Sequence, residues 1–177
     1  TPSMQKVVVK SAANAPLWGA LYRQYFEEIQ QVTASKGALQ VEKKLFVERN
    51  NGQGIELQPV TDGTPLHKGD KVIVRLTLRA DRDMEYVHLK DLRAGCFEPT
   101  QQMAGSSYKD GLWMYHAPED AAEHFFIHRL PKGTFVLEYA VYTERSGNYS
   151  GGISTIQCLY APEFVSHTAG SKILVQD

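Results

Sequence analysis

The stretch Lys71-Val72-Ile73-Val74-Arg75-Leu76-Thr77-Leu78-Arg79 puts Val72, Val74, Leu76 and Leu78 on one face of an extended chain. Arg75, Thr77 and Arg79 fall on the other face. This is the period of a half-buried strand with one wet side. Gly133 to Tyr142 repeats it, with Phe135, Leu137, Tyr139 and Val141 inward, and Leu39 to Val47 is a third alternating run. Glu85 to Leu92, Trp113 to Ala117, Glu123 to Leu130, Gly152 to Tyr160 and Lys172 to Val175 are further strand candidates. Asn50-Asn51-Gly52, Asp62-Gly63, Lys68-Gly69-Asp70, Lys109-Asp110-Gly111, Pro131-Lys132-Gly133 and Ser146-Gly147-Asn148 supply turn chemistry between them. There is no sustained βαβ pattern. The segment Ala117 to Glu123, with Pro118 near its start, is expected to hold one helical turn. The expected fold is all-β: an antiparallel two-sheet sandwich.

Residues 1–34 read differently. Gln5 to Lys10 suggests a strand. Leu17 to Ile29 is rich in aromatics. It fits a strand with Leu17, Gly19, Leu21, Arg23 and Tyr25 on one face, or a helix with Trp18, Leu21, Tyr22, Tyr25, Phe26 and Ile29 on one stripe. The strand is preferred, because aromatics suit pleated surfaces. Thr33 to Gly37 reads as a linker, so residues 1–34 form an appended strand-forming segment and residues 35–177 the sandwich. Segment 5–29 carries too many large apolar groups to leave in water. It is expected to lie extended against the sandwich or to pair with another copy of the chain.

A chain of 177 residues with 19 basic and 20 acidic side chains can bury one substantial core and presents no net cationic field. Nucleic acid is therefore not an expected partner. No apolar run reaches the length of a membrane span, so no membrane contact by this segment is expected; no signal peptide is visible, which says nothing about compartment. The chain starts at Thr1, not Met, and reads as a mature or excised segment. Cys96 and Cys158 are too few and too far apart for a zinc motif. A single disulfide and two buried thiols stand as alternatives. The bridge would need the end of the 85–94 strand to adjoin the end of the 152–160 strand.

Catalytic and ligand signatures are weak. His124 and His128 sit four apart, a spacing that on a strand is too long to share a metal. Ser150 in Gly147-Asn148-Tyr149-Ser150-Gly151 is not central, as a nucleophile elbow requires. Asp81, Asp83 and Glu85 alternate across a loop and strand edge, a pattern open to calcium, but Arg79, Arg82 and the missing turn glycine favour a solvated charged face. No catalytic residue, cofactor or metal is assigned. Tyr142, Tyr149, Tyr160, Phe164 and Trp113 would serve a sugar platform only if they formed an exposed coplanar row; otherwise they fill the core. Pro162 ends the strand before it, so Tyr160, Pro162, Glu163 and Phe164 are the best candidates for an interdomain contact; Phe164 then needs burial, for which a local core is the favoured alternative.

Several ordered segments carry a resemblance. They are Lys43-Lys44-Leu45-Phe46, Leu66-His67-Lys68-Gly69-Asp70-Lys71-Val72, Asp91-Leu92-Arg93-Ala94-Gly95-Cys96-Phe97-Glu98-Pro99, Leu130 to Tyr139, and the closing Tyr160-Ala161-Pro162-Glu163-Phe164. From about Leu39 to Val175 the chain resembles the C-terminal macroglobulin-like domain of bacterial alpha-2-macroglobulin-like proteins. Trp18-Gly19-Ala20-Leu21-Tyr22 resembles the last strand of the CUB-like domain that precedes it. The resemblance implies a macroglobulin sandwich of fibronectin type III-like architecture. It implies a non-catalytic part of an envelope or periplasmic protease inhibitor, whose partners are the other domains of the parent and, through the parent, proteases. The bait region and the Cys-Gly-Glu-Gln thioester of such proteins lie elsewhere; neither motif occurs in this sequence. The alternative is a carbohydrate-binding or adhesin-type sandwich module.

Overall fold

The computed structural model describes residues 8–10, 16 and 25–177. The strands among them are β1 (Leu39–Asn50), β2 (Ile55–Val60), β3 (Pro65–His67), β4 (Lys71–Ala80), β5 (Met84–Leu92), β6 (Phe97–Pro99) and β7 (Gly105–Lys109), followed by β8 (Leu112–Pro118), β9 (Ala122–Leu130), β10 (Gly133–Thr143), β11 (Gly147–Ser150), β12 (Ser154–Cys158), β13 (Val165–His167) and β14 (Lys172–Gln176). One sheet has the order β2-β1-β4-β10-β6, the second β13-β12-β5-β9-β8-β7, and a small third β11-β14-β3. Among the described residues, only β14 beside β3 pairs in parallel. The sheets do not close into a barrel, and the expected all-β sandwich is the fold.

The alternation places the core. β4 lies between β1 and β10, with Leu76 in register with Lys43 and Leu137. Leu39, Leu76, Leu78 and Leu137 from one sheet meet Leu89, Ile127 and Ile156 from the other, all fully buried. Each such side chain contributes about 1.5–3 kcal/mol on burial.

Two polar clusters interrupt that core. Lys43 Nζ lies 2.8 Å from Asp91 Oδ1 and also donates to the carbonyls of Leu92 and Gly151. Ser154 Oγ donates to Asp91 Oδ1 at 2.8 Å and the Tyr139 hydroxyl to Oδ2 at 2.5 Å. Burial, then the Asp91 charge, pushes the Tyr139 phenol well above its usual range, so it stays a donor. Directly opposite Asp91, across the β5–β9 pair, stands Glu123. It takes Arg93 Nη1 on one oxygen and His116 Nε2 on the other, each at 2.5 Å. Two buried carboxylates side by side repel, and each is held by its own cation or donor set.

The structure corrects several sequence expectations. No helical turn occupies Ala117 to Glu123. β8 runs through Pro118 and the chain reverses at once, with Glu119 N–H bonded to the Ala122 carbonyl. Ser146-Gly147-Asn148 does not make an isolated turn; Gly147 opens β11, which pairs with β14. The run from Gly152 to Tyr160 is strand only over Ser154–Cys158. Gly152, at φ +71°, lets the chain pass Leu92, where a Cβ would lie 2.2 Å from the Leu92 carbonyl oxygen. The short strands β2, β3, β6, β7 and β13 were not legible as alternation. They are edge or three-residue pieces, and β2 and β7 are almost wholly exposed.

Within the N-terminal segment, residues 1–7, 11–15 and 17–24 lie outside the described residues, and so does the strand reading of 5–7 and 17–24; Val8 to Lys10, which are described, form no strand. Residues 25–28 form neither strand nor helix, and Ile29–Gln31 is a single 3₁₀ turn. The chain from Ile29 to Ser35 docks on the sandwich: Ser35 pairs with His167, and Gly170 N–H donates to the Val32 carbonyl at 2.9 Å.

Candidate interdomain surface

The outer face of the six-stranded sheet is the most distinctive surface of the molecule. On β9, Phe125 and Ile127 point inward, so His124, Phe126 and His128 point out. On β8, Leu112 and Met114 are buried, while Trp113 and Tyr115 are exposed. On β5 the alternation slips: Glu85 and Tyr86 both face solvent between the buried Met84 and Val87. Tyr86 sits at φ +53°, a left-handed conformation uncommon for a non-glycine residue, and this turns its ring outward. β9 slips at the matching place, with His128 and Arg129 both exposed, so the two strands stay in register.

The outward rings contact one another. Phe126 stacks on His88 at 4.7 Å and 11°, and His88 stacks on His124 at 5.1 Å. His88 Nε2 and His124 Nδ1 are 2.9 Å apart. Burial, then the neighbouring His124 and Lys90, lowers the His88 pKa from its ordinary value. Tyr86 meets His128 edge-on at 4.7 Å and Tyr160 edge-on at 5.0 Å. Tyr86, Trp113, Tyr115, Phe126, His128 and Leu159 line an open hollow of about 300 Å³. Trp113 is 60% exposed and Tyr160 80%, well beyond what an isolated core-filling ring retains.

The residues expected to make an interdomain contact divide here. Tyr160 joins the aromatic face through Tyr86. Pro162 and Glu163 are exposed on the turn that follows. Phe164 packs back on the core, with the Arg82 guanidinium 5.5 Å from its ring centre. The chain folds it in because Phe164 N–H bonds to the Ala161 carbonyl and the Phe164 carbonyl accepts from Cys158 N–H. The five aromatics considered as a sugar platform do not gather: Trp113 and Tyr160 share this face, Tyr142 is exposed on the other sheet, and the Tyr149 hydroxyl turns back to the Ser146 carbonyl. Sequence reasoning missed Tyr86, Tyr115 and Phe126. The outward parity of Phe126 beside the inward Phe125 was the available signal.

Cys96 and Cys158 are both buried free thiols. The bridge fails on strand direction. β12 runs antiparallel to β5, so Cys158 pairs with Val87 at the start of β5, while Cys96 follows its end. The five residues of strand rise from Val87 to Leu92 alone separate them by about 16 Å, far beyond disulfide reach. Burial pushes the Cys96 thiol up to about 11 and also raises that of Cys158. Of the carboxylates weighed for calcium, Asp81 pairs with Arg82, and Asp83 pairs with Arg129 and accepts from the Lys132 backbone N–H. No group of three metal-ligating side chains occurs among the described residues.

The family model for the bacterial alpha-2-macroglobulin MG10 domain matches residues 39–163. The chain belongs to this family. Solved structures agree with the fold of the MG10 domain. Salmonella alpha-2-macroglobulin reacted with methylamine superposes with a TM-score of 0.65 at 18% identity, over 82% of this chain and 10% of that one. Escherichia coli alpha-2-macroglobulin activated by porcine elastase gives 0.66 at 16% identity, over 82% and 14%. The E. coli fragment from domain MG7 to the C-terminus gives 0.63 at 15% identity, over 81% and 24%. This MG10 domain thus spans a tenth to a quarter of the chains it matches. A comparison with curated proteins found no significant match.

Proposed function

We propose that this MG10 domain is a non-catalytic structural and interaction domain of a bacterial alpha-2-macroglobulin-like protease inhibitor in the cell envelope. The observation that carries the reading is the aromatic outer face of the six-stranded sheet. Trp113, Tyr115, Phe126, Tyr86 and Tyr160 leave an apolar patch that a neighbouring domain of the parent would bury. Its rings tilt against one another, Tyr86 and Tyr160 at 89° and Tyr115 and Phe126 at 41°. A sugar platform needs flatter company, so the carbohydrate-binding alternative draws no support from this face. We further propose residues 1–34 as the tail of a preceding CUB-like domain and 35–177 as the sandwich.

In this reading the domain holds its neighbours in place while cleavage elsewhere in the parent triggers rearrangement, and proteases are partners of the parent only. The test compares the isolated chain with the parent. The parent, mixed with trypsin or elastase, is expected to reduce digestion of a protein substrate. The isolated chain is expected neither to inhibit nor to hydrolyse anything. Replacing Trp113, Tyr115 and Phe126 by serine should leave the isolated domain folded and loosen its packing in the parent, read as faster limited proteolysis at the domain junctions. Inhibition by the isolated chain, or an unchanged parent, would sink the proposal.

A further inference from the structure

The five-stranded sheet has half an edge missing. β2 pairs with β1 only over Leu45 to Asn50, whereas β4 pairs with β1 from Leu39. Two hydrogen bonds set which way the β1 backbone faces. Asp81 N–H donates to the Ala38 carbonyl, and Asn51 N–H donates to the Gly54 carbonyl. Bonded pairs alternate along an antiparallel ladder. Even-numbered residues of β1 therefore turn their N–H and C=O toward β4, and odd-numbered ones toward β2. Beyond the reach of β2, the backbone groups of Val41 and Lys43 face a cleft with no strand paired opposite among the described residues.

That cleft has about 460 Å³ and the form of a slot. The unpaired half of β1 is one side and Thr168 to Ile173 the other. Val60 to Asp62, where β2 ends, close one end, and Ala34 to Lys36 close the other. On the β3 side the far wall has no strand partner at its start, because β3 meets β14 only from Leu174; there the Lys172 N–H donates to Asp62 Oδ1 at 3.4 Å. The two sides of the slot differ in chemistry. Val41, Leu45 and Ile173 are buried toward the core side. Lys36, Lys44, Arg79 and Lys172 line it with long cations, against only Glu42 and Asp62.

We propose that this slot accepts an extended peptide strand that alternates apolar and acidic side chains and completes the edge of β1. Its backbone takes the edge groups of Val41 and Lys43. Its apolar residues face Val41, Leu45 and Ile173, and its acidic residues meet Lys36, Lys44, Arg79 and Lys172. The proposal is independent of the aromatic face, which lies on the other sheet.

The test uses a fluorescein-labelled peptide of about six alternating valine and glutamate residues, which matches the length of the open edge. Two controls carry lysine in place of glutamate, or N-methyl groups at alternate residues. Saturable binding of the glutamate peptide is expected by fluorescence anisotropy, with protection of the Val41 and Lys43 amides from hydrogen exchange. Lys44→Glu and Arg79→Glu should each weaken it about fivefold; both side chains point to solvent, so the fold should persist. Both control peptides should fail. The proposal falls if no peptide saturates, if the controls bind equally, or if protection maps to β2 or β7. It falls equally if the same amides are protected without peptide in a concentration-dependent dimer, since a second copy of the chain would then be the occupant.

Discussion

Lys43 and Asp91 join the two sheets through the core: Nζ and Oδ1 are 2.8 Å apart, with the side chains 8% and 0% exposed. An ion pair so placed specifies how the sheets seat on each other, and breaking it strands a charge. Lys43→Met is expected to cost about 3–5 kcal/mol, because Asp91 keeps only Ser154 and Tyr139. Adding Asp91→Leu to Lys43→Met should recover much of the loss. Urea unfolding of the two singles and the double, as a cycle, measures this; strictly additive losses would show that the pair is not coupled.

The close approach at Gly170 governs the docking of the N-terminal segment. A Cβ there would lie 1.9 Å from the Ile29 carbonyl oxygen and 2.8 Å from the Gln30 Cα. Gly170→Ala is expected to lift Ile29 to Val32 off the sandwich at a cost of about 1–3 kcal/mol, seen as faster proteolytic cleavage before Ser35. Deleting residues 1–34 should leave a folded sandwich with a lowered Tm, since Ser35 and its pairing with His167 remain. Unfolding on deletion would place the segment in the core and move the proposed boundary.

Both cysteines should count as thiols. Denatured, unreduced protein is expected to release two thiol equivalents per chain with a colorimetric disulfide reagent. In the native state Cys96 should be inert near neutral pH, because its thiol is pushed up to about 11 and little thiolate forms. Its alkylation should then rise with pH well into the alkaline range. A denatured protein with no free thiol would overturn the strand-direction argument.

The depressed pKa of His88 makes a pH prediction with a defined sign. Its neutral form is favoured in the folded state by burial, by His124 and by Lys90, with Glu119 opposing. The unfolded chain then binds more protons in the window just below the ordinary value of 6.5. The stability due to neutral His88 is fully present above that value and is lost as pH falls through the folded one. His88→Phe should flatten this part of the stability profile while keeping the stack on Phe126. An NMR titration of His88 with a midpoint above 6.5 would reverse the sign.

What the sequence alone determined is the layer structure. Strand parity follows from local covalent geometry, so Val72, Val74, Leu76 and Leu78 on one face required a half-buried sheet whatever lay opposite. In the fold, the parity of the Leu39 to Val47 run puts Lys43 on the buried side with Leu39, Val41, Leu45 and Val47, where it meets a carboxylate. Which carboxylate it was, only the tertiary structure decided, because Asp91 lies 48 positions away and reaches Lys43 across the packed sheets. Strand direction likewise separated Cys96 from Cys158. On the aromatic face Trp113, Tyr115 and Phe126 follow ordinary parity, but Tyr86 joins them only through the paired slips at Tyr86 and His128, where the positive φ of Tyr86 overrides alternation. The open half-edge of β1 depended on where β2 stops. Neither a slip nor a missing neighbour leaves a periodic trace, since both arise from pairing between segments distant in the chain.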